Sequence, residues 1–513
     1  MTPELAMQMG QKTDHLMSLQ ERTGVKFDIE AAKKLYEYCC EEMLRIENEV
    51  EPQLPECDLN KGDLKTVTPP ARQMKAGKDG PIPSSYSEKF FDTIELNEQG
   101  EWIGTKDGVM VTLPCDNAPL YTQGPMKLKH QAQLKDWLTS QGWRPTLWNF
   151  QKKDGKFVRE NGKLVKTSPK FHEQGNLCPN LELLGAKVEI IKPIVRWLSL
   201  RNRRSVIHNP EKETGWLANA RLSVDGRLGA GRGGLAASLR QKHATVVNVP
   251  RPGSVLGEEM RSLFIAPEGK VIVGWDASGL EARVEAHYTY KYDGGVYATE
   301  LLEGDIHSKT AKAVFGEDIP VDEEGKVVGE FRNPAKGIKY ALTYGCSANK
   351  LADMVDEPLP KAKEMYNDFW EANWPLAKFK ENLIKHWKQK NEKGIYCYVT
   401  GCYLHSRSEH SLVNLVFQHT GATIMDISGL FMDKYLGGIQ YDADNIPYYL
   451  YKGYMVKRVI YMHDEYQYEC DEAIADEVGE LGVKSIIKAG EYLKLNVPLD
   501  AEYMKGMNWC ETH

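Results

Sequence analysis

The stretch RVIYMHDEYQYEC (residues 458–470) decides how the C-terminal part of this chain is read. Apolar and aromatic residues on both sides of His463, Asp464 and Glu465 give a strand, a tight turn and a second strand, with the acids at the hairpin tip. Two carboxylates inside a buried strand would be costly, whereas carboxylates at a strand end are tolerable when a cation shares them. The rest of such a site has to come from elsewhere in the sequence.

A second acid of this kind stands in KVIVGWDASGLEARVEAHY (270–288), a short β-rich run ending at Asp276 and followed by a helix. Ser278 and Glu281 have the S-x-x-E spacing of a capping box, so Glu281 can be read as a cap and Asp276 as a turn residue, or both as parts of a site. Two strand-end carboxylates could hold a pair of Mg²⁺, a hard cation that uses few protein ligands when phosphate supplies the others. A third element, RNPAKGIKYALTYG (332–345), spaces Arg332, Lys336, Tyr340 and Tyr344 by four residues, which puts two cations and two aromatics on one helical face. Cations suit a triphosphate and rings suit a base or sugar. Taken alone, this face also fits a solvated helix edge with two core tyrosines.

The chain has 513 residues, too many for one core, and is 42% hydrophobic and 27% charged. No apolar run approaches the ~20 residues of a membrane span and the polar start shows no signal-peptide pattern, so an intracellular, non-membrane protein is expected. Ten cysteines without C-x-x-C pairs read as free thiols. The net charge of −7 hides a segregation: residues 187–251 carry thirteen Lys/Arg against four Asp/Glu, and residues 464–502 carry eleven acids against three lysines. The basic stretch is expected to track a phosphate backbone, and its Gly/Arg-rich part, DGRLGAGRGGLAASLRQKH, to form a mobile cationic connection. Residues 28–50 read as a helix with Asp28 as N-cap, and residues 51–126 as an irregular acidic insertion with small strands near EWIGTKDGVMVTL. Helical signals return at 127–143 and 185–205, and no repeat of 20–50 residues is visible.

DASGLE, R-x-x-x-K-x-x-x-Y-x-x-x-Y-G and HDE, in this order, resemble motifs A, B and C of the family A (DNA polymerase I-like) DNA polymerases, nearest the phage replicative branch. The resemblance runs from about Ser223 to the C-terminus and more weakly over TGVKFDIEAAKKLY. It implies an α+β right hand with an antiparallel palm sheet and helical fingers and thumb. The implied parts are 1–50 and 127–240 for the thumb region and connection with 51–126 inserted, 241–304 and 400–513 for the palm, and 305–399 for the fingers.

The implied reaction is attack of a primer 3′-hydroxyl on the α-phosphate of a deoxynucleoside triphosphate, directed by a template. By the resemblance, Asp276, Asp464 and the carbonyl of Ala277 hold two Mg²⁺, with Mn²⁺ as a substitute. Glu465 becomes a supporting acid near the primer end, and His463 orients the primer terminus. His307, Arg332 and Lys336 grip the triphosphate, with Lys336 protonating the leaving pyrophosphate. Tyr340 packs on the incoming sugar, Glu281 occupies the space a 2′-hydroxyl needs, and Tyr344 gates the templating position. Arg240, Asn414 and Gln418 read the duplex minor groove. GCYLHSRSEH lacks the arginines the wider family often has there, leaving part of the template grip to His410.

Pro334 leaves open whether Arg332 precedes the helix or stands on it. Asp28 in FDIEAA reads as a cap and not as an exonuclease ligand, so proofreading is expected to be absent from this chain and to reside, if present, in a separate exonuclease chain. The 51–126 insertion falls where one phage branch recruits a processivity factor. The rivals are a two-metal nuclease, which has no use for the Lys336/Tyr340 face, and a non-catalytic DNA-binding subunit, which has no use for both acid turns. An RNA-synthesising relative is set aside by Glu281.

Overall fold

The computed structural model describes the chain except residues 60–68, 107–108, 117–121, 161–162, 174, 222–224, 317, 324, 356, 407 and 513. Ser223, the expected start of the resemblance, thus lies outside the described residues, as does part of the 51–126 insertion. Two compact units are present: Met1–Glu37 with Asn202–His513, and Tyr38–Arg201. Among the described residues no helix is long and apolar enough to cross a membrane.

The first unit is built on a six-stranded sheet, with strands β1 (Lys270–Ala277), β2 (Ile439–Tyr441), β3 (Pro447–Tyr451), β4 (Tyr454–Met462), β5 (Glu465–Asp471) and β6 (Ala501–Gly506). Their order is β2-β3-β4-β5-β1-β6, and every neighbouring pair is antiparallel. The hairpin expected at 458–470 is therefore formed, and β1 lies beside it although about 190 residues intervene. Trp275 and Tyr466 are register partners, and both enter the main hydrophobic core with Tyr468, Ile424 and Ile486. The helices Leu412–Leu436 and Ala475–Leu493 cover this face. A Cβ on Gly482 would fall 2.3 Å from the Trp275 ring, so glycine there lets helix and sheet approach closely. Since strand side chains alternate, Asp276 and Glu465 stand on the opposite face.

Four helices, Ile306–Phe315, Gly329–Thr343, Ala348–Val355 and Leu359–Ala372, share a core of Val314, Ile338, Leu342, Leu351, Met365 and Phe369. Pro334 lies inside the second of them, and Arg332 stands on that helix, its N–H donating to the Val328 carbonyl at 3.0 Å. That resolves the sequence ambiguity. At the other end Gly345 (φ 85°) has its backbone against His410, where a Cβ would sit 2.3 Å from the His410 carbonyl oxygen.

The expectation for the Gly/Arg-rich connection needs correction, because two of its arginines, Arg227 and Arg232, are held by the fold. Arg227 is buried, donating to both Glu469 oxygens at 2.9 and 2.8 Å and to the Gly24 carbonyl. Arg221 donates to the Arg22 and Thr23 carbonyls, and Arg232 pairs with Asp14 at 2.7 Å. Residues Arg232–Leu235 and Gln241–His243 form a two-stranded ribbon in the same stretch. Arg221 and Arg227 are here the donors to the carbonyls that end the helix Pro3–Thr23, since orphan carbonyls need partners.

The second unit holds most of helix Ile29–Val50, which Asp28 caps as expected through its carboxylate and the Ala31 N–H at 2.9 Å. The region expected to be irregular contains more regular structure. Met74–Gly77 pairs with Gly80–Pro83, and Thr93–Leu96, Trp102–Lys106 and Val109–Leu113 make a three-stranded meander. Glu56–Leu59 pairs with Thr122–Pro125. Helices Gln131–Ser140 and Pro179–Lys187 and most of Ile191–Ile207 complete the unit, with Trp143 stacked on Phe171 at 5.4 Å.

Between Trp148 and Pro169 the chain folds as a three-way junction of β-hairpins. A stem pairs Trp148–Phe150 with Lys166–Pro169, and two branches pair Lys152–Lys153 with Lys156–Phe157 and Arg159–Glu160 with Lys163–Leu164. The junction is closed by a ring of three backbone hydrogen bonds. Gln151 N–H donates to Val165 O (2.9 Å), Val165 to Val158 O (3.1 Å) and Val158 to Gln151 O (2.9 Å). The sequence carries a matching signal, shorter than the 20–50-residue period of repeat architectures: QKKDGKF, VRENGKL and VKTSPKF are three successive seven-residue units.

Candidate active site

Backbone pairing brings the two acid turns together. Asp276 is the register partner of Glu465 on β5, and the Ala277 N–H donates to the Asp464 carbonyl at 3.1 Å. His463 has φ 64°, so the two-residue turn His463–Asp464 swings both side chains out of the sheet, and Asp276, His463 and Asp464 are all exposed. Glu465 is placed differently from Asp464. It is buried, accepting from the Trp509 indole and, at 2.6 Å, from the Gln467 amide. It therefore stands beside Asp276 on the sheet but is held by protein donors, which marks it as a support and not as a tip ligand. On the other side Glu502 of β6 is also a register partner of Asp276. Like charges in directly opposed positions repel, so this row of acids is balanced best by a cation. Sequence reasoning passed over Glu502 because only pairing of the last strand brings it there.

Glu281 begins the helix Leu280–Asp293, but the capping box is not formed. Gly279 (φ 59°) is the N-cap and no side chain caps the helix. Glu281 instead faces a cluster. Burial pushes its carboxyl up, while the Tyr344 hydroxyl and Arg240 favour its charged form and Asp464 opposes it. Burial also pushes the Tyr344 and Tyr340 hydroxyls up, reinforced by Glu281, and the two rings lie 6.2 Å apart. Glu281, Tyr340, Tyr344 and His307 line one small cavity with Phe417. Motifs far apart in sequence thus meet around Asp464, Glu281 and Tyr344.

His307 is half-buried, and among the described residues its Nδ1 has no hydrogen-bond partner. Burial, then Lys336 and Arg332, hold its pKa down, so a neutral imidazole stands near two cations. Lys336 is exposed on the helix Gly329–Thr343. Arg332 is more committed than expected. Its Nε and Nη2 donate to Asp305 at 2.8 and 3.2 Å, and Asp305 also accepts from the His307 and Ser308 N–H groups at the start of the next helix. Against the effect of burial, Arg332 and Ser308 hold the Asp305 carboxyl well below the usual range. Arg332 is thereby positioned by Asp305, which the sequence could have announced as the N-cap in DIHSKT.

Arg240 lies among His243, Glu281, Tyr461 and His463, whose charged states it biases. His243, a residue the sequence reading missed, accepts the His463 N–H at 3.2 Å, and the rings meet edge-on at 5.2 Å. Burial, then His463 and Arg240, push His243 down to about 3. Desolvation and Arg240 push His463 down to about 4. Both rings are therefore neutral near pH 7. Asn414 and Gln418 sit one turn apart on helix Leu412–Leu436, both half-buried, with the Asn414 Oδ1 unpartnered among the described residues. His410 is exposed in the short turn Glu409–Ser411.

The family model described as DNA polymerase family A matches residues 180–511. Similar curated proteins are the DNA-directed DNA polymerases of Enterobacteria phage T3 and Escherichia phage T7. Each is 28% identical over 357 residues, covering 64% of this chain and 46% of the relative. DNA polymerase I of Aquifex aeolicus is 26% identical over 329 residues, covering 63% of this chain and 52% of its own. A similar solved structure is the POL domain of Pol1 from M. smegmatis in complex with DNA primer-template and dNTP. Its TM-score is 0.65 at 16% identity, covering 98% of this chain and 70% of that one. The fold is that of an α+β polymerase domain, and the chain belongs to DNA polymerase family A. It spans about half the length of the curated relatives it matches.

Proposed function

We propose that this chain is a template-directed DNA polymerase that adds deoxynucleotides to a primer 3′-hydroxyl. The observation that carries this is the Ala277–Asp464 backbone hydrogen bond, which joins the two acid turns next to the Glu281/Tyr340/Tyr344 cluster. A nuclease or a passive binding subunit needs only part of that arrangement. The palm corresponds to 241–304 and 400–513, the fingers to 305–399, and the thumb region to the remainder.

The donor set fits a hard divalent cation. Two exposed carboxylates are joined through the backbone and supply only part of a hard cation's oxygen shell. That leaves room for phosphate and water, as Mg²⁺ prefers, with Mn²⁺ as a substitute. Asp276, Asp464 and the Ala277 carbonyl would hold the ions, whose chemistry is to favour the 3′-alkoxide and to offset charge on the transferring phosphoryl group.

The chain's own residues do the rest. Lys336 and His307 bind triphosphate oxygens, and Arg332, steadied by Asp305, lies alongside them. Lys336 gives a proton to the leaving pyrophosphate. If Lys336→Ala and Lys336→Arg lose equal single-turnover rate, proton donation is wrong. Tyr340 packs on the sugar, Glu281 excludes a 2′-hydroxyl, and Tyr344 gates the template position, moving against Glu281 as the helix closes. His463, held neutral, orients the primer terminus, while Arg240, Asn414, Gln418 and His410 hold the duplex. Glu465 fixes the strand end that carries Asp464.

The test is primer extension with Mg²⁺ and four deoxynucleotides. Asp276→Ala and Asp464→Ala should each reduce extension by roughly three orders of magnitude or more, several kcal/mol of transition-state stabilisation. Unchanged extension by either variant refutes the mechanism.

A further inference from the structure

The three-way hairpin junction at 148–170 has no part in the chemistry above, yet it is the most strongly basic element of the second unit. Residues 151–171 carry seven Lys/Arg against two Asp/Glu. The seven-residue repeat places a cation directly after each junction residue, at Lys152, Arg159 and Lys166. Lys152, Lys153, Lys156, Arg159 and Lys166 are all exposed. The branch turn at Asp154 and Gly155 has φ of 51° and 74°, the tight hairpin geometry that keeps Lys153 and Lys156 directly opposite each other. Like charges facing each other across two-residue strands destabilise so small an element. Their retention makes sense where an external anion offsets them.

Lys153 and Lys156 are not needed to cover the aromatics of the element. Its aromatics, Phe157 and Trp148, are already covered by Lys152 at 4.8 Å and Lys166 at 4.6 Å, and Phe150 packs edge-on against Phe157. A protein partner would want an apolar patch, and lysine is depleted in protein–protein interfaces. A regular polyanion asks only for flexible cations spread over a rigid frame.

We propose that this junction binds the phosphodiester backbone of duplex DNA and retains primer-template between additions. It is a sequence-independent contact site separate from the residues that do chemistry. This rests on the polymerase reading only for the nature of the duplex, because the charge argument stands without it.

The test uses the full chain with Lys153→Gln and Lys156→Gln combined. Equilibrium binding to primer-template duplex is followed from 50 to 200 mM salt. The slope of log K against log salt should fall in magnitude by about two, one phosphate contact for each cation removed. Products made in a single binding encounter, with a heparin trap, should shorten, while single-nucleotide addition at saturating DNA stays at the wild-type rate. Lys153→Arg with Lys156→Arg should restore both slope and length. An unchanged slope overturns the proposal, as does an equal loss in the arginine variant, which would mean a structural role. Should the double variant melt early, Lys156→Gln alone is read in the same way, with a slope change of about one. A wild-type chain that fails to extend primers would refute the polymerase reading and leave the salt slope to judge this one.

Discussion

Two basic stretches of this chain look alike in composition and do opposite things. Residues 221–232 turn their arginines inward: Arg221 and Arg227 to backbone carbonyls, Arg227 also to buried Glu469, and Arg232 to Asp14. Between residues 151 and 166, Lys152, Lys153, Lys156 and Lys166 stand exposed on a frame closed by its own backbone. Arginine's planar fork satisfies several fixed acceptors at once, whereas lysine is a flexible point charge suited to solvent or phosphate. Charge runs are therefore informative only after the partners of each cation have been counted.

That contrast can be broken by measurement. Arg227→Ala strands Glu469 in the interior and should cost about 3–5 kcal/mol in urea unfolding, while Arg227→Met with Glu469→Met should recover much of the loss. A loss under 1 kcal/mol would place the arginine stretch in the same class as the lysine one. His419 also fastens the connection, its Nδ1 bonding to the Ser238 carbonyl at 2.9 Å and its Nε2 to Thr400 at 2.7 Å. Burial, opposed by the Ser238 carbonyl, pushes its pKa down to about 4. The unfolded chain then takes up a proton near pH 6.5 that the folded chain refuses. Stability should fall as pH drops from about 6.5 to about 4, by up to roughly 1.4 kcal/mol per unit from this group. His419→Gln should flatten that slope relative to wild type, and an unaltered slope would remove His419 from the account. Arg232→Ala breaks a partly exposed pair and should cost no more than about 1 kcal/mol. Smallest of all, Lys153→Gln with Lys156→Gln should shift stability by less than about 0.5 kcal/mol while still lowering the salt slope of DNA binding.

Much of the first unit was legible because its signals are local. The hairpin at 458–470, the strand ending at Asp276 and the helical face from Arg332 to Tyr344 each follow from periodicity and turn residues. Pro334 was a fair warning that failed, since the helix runs through it with Arg332 on board. The Ser278–Glu281 capping box failed because Gly279 takes a left-handed turn and begins the helix itself. The mobile reading of DGRLGAGRGGLAASLRQKH failed because the acceptors of Arg227 and Arg232, Glu469, the Gly24 carbonyl and Asp14, are remote in sequence.

By itself the sequence determined the strand ends, the acid turns and the order of the three motifs, since these depend on alternation, turn chemistry and helical spacing. Only the tertiary structure decided which carboxylates share a face. Register pairing sets Glu465 and Glu502 on either side of Asp276, buries the first against Trp509, and leaves Asp464 exposed at the tip. A one-residue change of register would reverse those faces, and register is fixed by packing against Trp275, Tyr466 and the helices behind them, which no local pattern encodes.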